Sequence, residues 1–242
     1  MGRAITALWL TAFFLLSDLF IDNIKTKTEV LSTDYTLLKG GGYVIIFSVI
    51  FEELCMKITK SNLTIRSATP EDAEILTSWW NDGKVMAHAG FPLGLNMTAE
   101  ETLKHINDNE TSISQRCIIE IDGERVGEMN FRIYEDRKAA EMGIKICNFD
   151  YQNRGYGTRL IKMLIEFLFS DEKINAYCPV EKIILDTNVN NKRAQRVYEK
   201  IGFANLGISK TPWYDQLGDP QYSINYELPR QYYEKARKED KW

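Results

Sequence analysis

The densest chemical signal in this chain of 242 residues is the segment Gln152-Asn153-Arg154-Gly155-Tyr156-Gly157-Thr158. It lies between a strand-like run and a long amphipathic run that opens at Gly157. A pyrophosphate concentrates negative charge. Successive backbone N–H groups at a helix N-terminus, aided by the helix dipole, suit it as a ligand. Gly155 and Gly157 permit unusual dihedrals and close backbone approach. Arg154 adds positive charge, and Thr158 offers a hydroxyl in the first helical turn. Taken alone, G-x-G marks only a turn. The segment lacks the G-K-[ST] of a Walker loop and the G-x-G-x-x-G of a dinucleotide fold.

Composition narrows the classes of function. The chain is 44% hydrophobic and 26% charged, an ordinary globular balance with enough length for one sizeable core. A formal net charge of -4 gives no sign of nucleic-acid binding, and it tolerates cationic partners such as amines. The cysteines are Cys55, Cys117, Cys147 and Cys178, with no C-x-x-C pair, and the only imidazoles are His88 and His105. No metal site is expected from this set. Scattered cysteines fit a reducing compartment, hence a cytoplasmic location.

The elements that position the loop can be read from periodicity. Leu63 to Ser67 alternates as a strand, and Thr69-Pro70-Glu71-Asp72 starts a helix running to Trp79-Trp80 and ending at Asn81-Asp82-Gly83. Thr98-Ala99-Glu100-Glu101 opens a second helix with a capping-box pattern. Strands follow at Arg116 to Ile121, Arg125 to Tyr134 and Ala140 to Cys147, with Asp122-Gly123 as a hairpin turn. A long helix spans Gly157 to Phe169, with Leu160, Ile161, Leu164, Ile165 and Leu168 on one face. A strand at Lys182 to Asp186, a helix at Asn191 to Ile201 and strands at Phe203 to Ile208 and Tyr222 to Leu228 close the domain. The charged stretch from Gln231 to Trp242 is expected to fray. The order predicts an α/β (α+β) mixed sheet, helices on both faces, with a parallel crossover from the Ala140 strand to the Lys182 strand.

The first 55 residues differ from the rest. Ala4 to Ile21 is almost wholly apolar, broken by Asp18, and Gly40-Gly41-Gly42 precedes a second apolar run at Tyr43 to Phe51. The first run is short for a membrane span, carries a charge and has no convincing cleavage site. Met56 looks like a natural start. Glu52-Glu53 requires a purine-rich hexamer, two codons upstream of the ATG of Met56, in the form of a bacterial ribosome-binding site. Residues 1–55 are therefore expected to be a translated leader, with a hydrophobic N-terminal extension or membrane anchor as the alternative. The domain proper is expected at 56–230.

Q-x-x-G-x-G, following a strand that ends Gly143-Ile144-Lys145-Ile146, resembles motif A of the GCN5-related N-acetyltransferases, the GNAT superfamily. Asn191-Lys192-Arg193-Ala194-Gln195-Arg196-Val197-Tyr198-Glu199-Lys200-Ile201-Gly202-Phe203 is similar to motif B. Val126-Gly127-Glu128 is similar to the preceding hairpin, and Trp213 to Asp219 to the RimJ/RimL-like branch. The resemblance covers Leu63 to Leu228. It implies a mostly antiparallel sheet with one splayed parallel pair, and acetyl transfer from acetyl-CoA to a primary amine by direct attack. The amine would belong to a protein N-terminus or a small molecule.

The resemblance assigns residues as well. Donor contacts are the peptide groups of Ile144, Lys145 and Ile146, the loop Gln152, Asn153, Arg154, Gly155, Tyr156, Gly157 and Thr158, and Asn191. Tyr198 matches the position that protonates the leaving thiolate. Glu141 is the first candidate general base and Glu128 the second, each also readable as a solvated strand carboxylate. Trp80, His88, Phe91 and Tyr134, with Trp79 and Asn81, are candidates to line the acceptor pocket. Partners are acetyl-CoA and an amine. Neither nucleic acid nor membrane association is expected of the domain, and a homodimer is compatible with it. A non-catalytic acyl-CoA-binding regulatory module and a membrane-tethered acyltransferase are the alternatives.

Overall fold

Alternating burial shows why the strands form where they do. In the computed structural model, which describes residues 56–109 and 113–242, β2 (Leu63–Ser67) buries Leu63, Ile65 and Ser67 and turns Thr64 and Arg66 outward. Residues 1–55, expected as leader or extension, lie outside the described residues.

The elements run β1 (Lys57–Lys60), β2, a 3-10 turn (Pro70–Asp72), α1 (Ala73–Asn81), α2 (Gly83–Met86), a 3-10 turn (Ala87–Ala89), α3 (Ala99–Asn109), β3 (Ser114–Ile121), β4 (Glu124–Tyr134) and β5 (Ala139–Ile146). They continue with a 3-10 turn (Phe149–Tyr151), α4 (Tyr156–Ser170), α5 (Glu172–Tyr177), β6 (Lys182–Asn188), α6 (Lys192–Ile201), β7 (Ala204–Ile208), β8 (Trp213–Tyr214), β9 (Pro220–Gln221), β10 (Ser223–Pro229) and α7 (Arg230–Lys238).

Eight strands form one sheet in the order β1-β2-β3-β4-β5-β6-β10-β7. Every neighbouring pair is antiparallel except β5–β6. That exception is short: Ala139, Ala140 and Glu141 pair with Lys182, Ile183 and Ile184, and the pairing then stops. β5 stays paired with β4 up to Ile146, and β6 with β10 up to Asn188. The two strands therefore part like a fork whose apex is the Glu141–Ile184 pair.

Each face of the sheet has its own core. On one face α4 buries Leu160, Ile161, Leu164, Ile165 and Leu168, the five positions its periodicity predicts, together with Ile183 and Leu185 of β6. On the other, Leu76 and Trp80 of α1 and Ile106 of α3 pack on Ile118 of β3. From β4 onward this second face is open: Asn130 and Arg132 of β4, Asp186 of β6 and Asn225 of β10 are exposed.

Several features depart from the expectations. β1 adds a strand before Leu63. Asn81-Asp82-Gly83 does more than end a helix, because the Asp82 carboxylate caps α2 by accepting from Lys84 N at 2.8 Å. The C-terminal stretch is not frayed up to Lys238. The Arg230 guanidinium donates to Val180 O (2.6 Å), Phe169 O (2.7 Å) and Asn175 Oδ1 (2.5 Å). Tyr233 is buried against Phe169 and Trp242. Two aromatics among many charges were enough to dock the helix.

The start of α1 carries a titratable lock. Asp72 accepts from Arg66 twice (2.7 and 2.9 Å) and from the Thr69 backbone (2.9 Å). Burial opposes its ionisation, but Arg66 and the Thr69 amide outweigh it and hold the carboxyl at about 2. A depressed carboxylate stabilises the fold above its unfolded value of about 3.9 and loses that contribution as pH falls through the folded value. Asp72→Asn is expected to lower the urea midpoint at pH 7, and the gap to the native protein should close between about pH 4 and 2.

Candidate active site

The glycine loop feeds α4 without a side-chain cap. Gly155 is the N-cap, in the left-handed region at φ +80°. The first α4 amide with an internal acceptor is Arg159 N, on Gly155 O (3.3 Å). The amides of Tyr156, Gly157 and Thr158 have no acceptor among the described residues, as expected for an uncapped N-terminus. Gly157 is helical, so the dihedral freedom expected there is not used. A Cβ on it would come no closer than 3.8 Å to any atom, the Ile146 Cδ1. The protein itself has room for a methyl group there.

Gln152 fixes the loop in place. Its Nε2 donates to Ile146 O (2.7 Å) at the end of β5, and its Oε1 accepts from Arg193 of α6. It thus spans both arms of the fork. A cleft of about 370 Å³ lies beside the loop, lined by His88, Asn153, Asn190, Asn191, Lys192 and Arg193. Asn191 caps α6 by accepting from Ala194 N (3.2 Å) and also faces this cleft. Arg154 is exposed. These uncapped amides, the basic polar cleft and the unpaired edge of β5 at Ile144, Lys145 and Ile146 fit a long anionic donor with an amide-bearing arm. Among the described residues no group of His, Cys, Asp or Glu is arranged to hold a metal.

Tyr198 is 6% exposed, with Phe203 and Tyr226 against its ring. Its hydroxyl makes no hydrogen bond among the described residues, yet among those same residues the one fully occluded side-chain polar atom without a partner is Trp242 Nε1. The Tyr198 hydroxyl therefore reaches solvent. Burial, with the field of Asp186, pushes its pKa up to about 12.

The two candidate bases have opposite surroundings. Glu141 stands at the fork apex, half-buried, and accepts from Tyr134 OH at 2.7 Å. That bond raises the Tyr134 pKa. Glu128 is buried and saturated: Arg116 (2.5 Å), Lys145 (2.8 Å) and Trp80 Nε1 (3.2 Å to both oxygens) all donate to it. Burial pushes its pKa up, but Lys145 and Arg116 outweigh this and hold it below the usual range. A carboxylate so occupied has little basicity or reach left, and Glu141 is the freer of the two.

The residues expected around the acceptor do not gather in one pocket. Trp80 is buried in the α1 core, with Arg116 over its ring at 4.6 Å, because its indole N–H is drawn to Glu128. His88 faces the cleft beside the loop instead, and burial and Arg193 lower its pKa. Tyr134 sits beside Glu141, and Phe91 is 36% exposed. Asn81 ties its own loop, bonding Met97 through both O and N of its amide (2.8 Å each). The sequence reading missed Gln216, which joins the loop after the second 3-10 turn to the loop between β8 and β9. It does so through Gly90 O (2.8 Å), Leu93 N (3.0 Å) and Gly94 O (2.9 Å). Asp186, in the sequence the end of a strand, is exposed on the same face as Glu141. Strand parity relative to Glu141 was the available signal.

A mostly antiparallel sheet with one splayed parallel pair and an uncapped glycine loop beside the fork defines an acyltransferase fold. Residues 62–204 match the acetyltransferase (GNAT) domain family, and the chain belongs to it. Among similar proteins, aminoglycoside N(6')-acetyltransferase type 1 of Klebsiella pneumoniae is 26% identical over 174 residues, covering 64% of this chain and 81% of that one. Two solved structures share the fold. One is the RimL ribosomal L7/L12 alpha-N-protein acetyltransferase in complex with coenzyme A (TM-score 0.63, 19% identity, 73% of this chain and 99% of that one). The other is spermidine N-acetyltransferase from Vibrio cholerae in complex with CoA and spermine (TM-score 0.62, 20% identity, 72% and 99%).

The glycines allow stability and ligand binding to be separated. Gly157→Ala is expected to leave the denaturation midpoint unchanged or slightly raised, since helical Ala is favoured over Gly by about 1 kcal/mol. It should weaken acetyl-CoA binding, measured by calorimetry, at least ~10-fold through a methyl in the phosphate path. Gly155→Ala is expected to cost about 1 kcal/mol of stability because φ +80° suits glycine.

Proposed function

We propose that this chain transfers the acetyl group of acetyl-CoA to a primary amine, on a protein N-terminus or a small molecule, in the cytoplasm. The observation that carries this is the fork. Peptide groups of β5 beyond Glu141 lose their β6 partner beside an uncapped helix N-terminus. One ligand with a pyrophosphate at one end and a thioester on a flexible arm satisfies both.

The chain's residues divide the work. The amides of Tyr156, Gly157 and Thr158, with Arg154 nearby, hold the pyrophosphate. Peptide groups of Ile144, Lys145 and Ile146 bind the arm, and one N–H there polarises the thioester carbonyl. Glu141 takes the acceptor's proton as the C–N bond forms, and Tyr134 fixes its orientation. The C–S bond breaks as charge moves to sulfur, where the Tyr198 hydroxyl donates a hydrogen bond. With its pKa pushed up to about 12, that phenol keeps its proton at working pH. Full proton transfer from a phenol raised by burial to a less basic thiolate runs uphill, so Tyr198 stabilises the leaving group chiefly as a donor. No cysteine nucleophile is needed, and Cys147 is suited to packing: it is buried, and burial pushes its thiol up.

The test is thiol release from acetyl-CoA by the full chain over a panel of amines and N-terminal peptides. At least one acceptor should release CoA. Tyr198→Phe should lower kcat by about 10–100-fold, the worth of one hydrogen bond to a developing charge. Acetyl-CoA affinity should stay within a few-fold. Acetyl-CoA binding with no turnover on any amine would instead favour a binding module.

A further inference from the structure

Asn130 is a polar side chain that none of these roles uses. In β4, Met129, Phe131 and Ile133 enter the α4 core, so Glu128, Asn130 and Arg132 face the other, open side of the sheet. Their partners on β5 are Lys145, Gly143 and Glu141, in that order. Glu128 and Lys145 are joined to each other, and Arg132 stacks on the Tyr134 ring at 5.3 Å. Asn130 is exposed, and its amide makes no hydrogen bond among the described residues.

The residue opposite explains where this side chain lies. A Cβ on Gly143 would collide with Asn130 Oδ1 and stand 3.5 Å from its Cγ. The carboxamide therefore lies across β5, in the space that a side chain at Gly143 would fill. Gly143 follows Glu141 by two residues, on the same face and past the point where β5 loses β6. The accepting oxygen of Asn130 thus stands over the donor strand at the mouth of the fork. Asn130 and Glu141 are diagonal cross-strand neighbours, with Cβ atoms about 7 Å apart. One nitrogen carrying two N–H groups can bridge acceptors up to about 6 Å apart, the length of two hydrogen bonds end to end.

We propose that Asn130 orients the acceptor amine, its Oδ1 accepting one N–H while Glu141 accepts the other. The proposal rests on the acetyl-transfer reading and deepens it. A neutral primary amine has two N–H groups and one lone pair. With both N–H groups held, the lone pair is turned toward the thioester carbon, which an arm running along Ile146, Lys145 and Ile144 brings to Gly143. The lone pair forms the C–N bond, Glu141 takes its N–H proton, and the C–S electron pair leaves on sulfur. Asn130 keeps the remaining N–H, which becomes that of the product amide. Being uncharged, Asn130 orients the amine without opposing its deprotonation, as a second carboxylate there would.

The test is a double-mutant cycle on the full chain. It uses acetyl-CoA and whichever of kanamycin, spermidine and a peptide with a free N-terminus is acetylated fastest. Asn130→Ala should lower kcat about 10-fold or more and leave the acetyl-CoA KM within about 2-fold. Its urea midpoint should match that of the native protein, since the amide bonds nothing in the fold. Gly143→Ala, which pushes the carboxamide aside, should lower kcat by a similar factor alone and by less than about 2-fold in the Asn130→Ala background. Asn130→Asp keeps the accepting oxygen. It should recover kcat at high pH but move the rise of kcat to higher pH, because the added carboxylate favours the ammonium form. An unchanged kcat in Asn130→Ala, additive losses in the double variant, or an Asn130→Asp pH profile lying on that of Asn130→Ala would overturn the proposal. Acetyl-CoA binding without turnover of any acceptor would overturn the acetyl-transfer reading, and this proposal with it.

Discussion

After the Glu141–Ile184 pair, β5 and β6 stop hydrogen bonding to each other, and the rest of the site depends on that separation. Backbone N–H and C=O groups in a sheet are obligatory hydrogen-bonding groups. Those released by the parting must find water or a ligand. Neither strand can slide to close the gap, because each is held on its far side. β5 pairs with β4 along its whole length, from Ala139 to Ile146. β6 pairs with β10 from Lys182 to Asn188, and the Asn188 side chain is held by Gln221 at 2.9 Å. Gln152 bridges the open ends, contacting Ile146 and Arg193 at once. The fork is thus rigid on both arms and open between them.

Glu128 shows how that rigidity is built from an unfavourable element. A buried carboxylate is costly unless paired and hydrogen-bonded. Here two cations and an indole N–H satisfy it, from β3, β5 and α1. One side chain thereby ties α1 to β3 and β5. Preorganised groups stabilise developing charge only if their own positions are fixed. Glu128 thus has a structural task that moves no proton.

The parts legible in the sequence were those set by local rules. The α4 stripe follows 3.6-residue periodicity, and the loop is recognised because glycines, a basic residue and the flanking elements occur together. The parallel crossover follows from a helix between two strands. What stayed hidden depends on which face a residue occupies and what lies opposite. Glu128 and Glu141 look alike as strand carboxylates. Only the β3–β4–β5 register shows that one meets Arg116 and Lys145 while the other meets Tyr134. Trp80 and His88 are both polar-tipped rings near the first helices, yet one is drawn into the core by Glu128 and the other lines the cleft beside the glycine loop. Asp186 reads as an ordinary strand end until the parity of β6 is known. The charged C-terminal stretch concealed Tyr233, whose packing comes from α4 and Trp242.

The most direct test of the fork as donor site is residue-resolved amide hydrogen exchange of the full chain with and without acetyl-CoA. The account predicts protection in two places together: amides of β5 between Gly143 and Ile146, and those of Gly155 to Thr158 at the start of α4. Protection at the loop alone, or at neither segment while acetyl-CoA is bound, would contradict it.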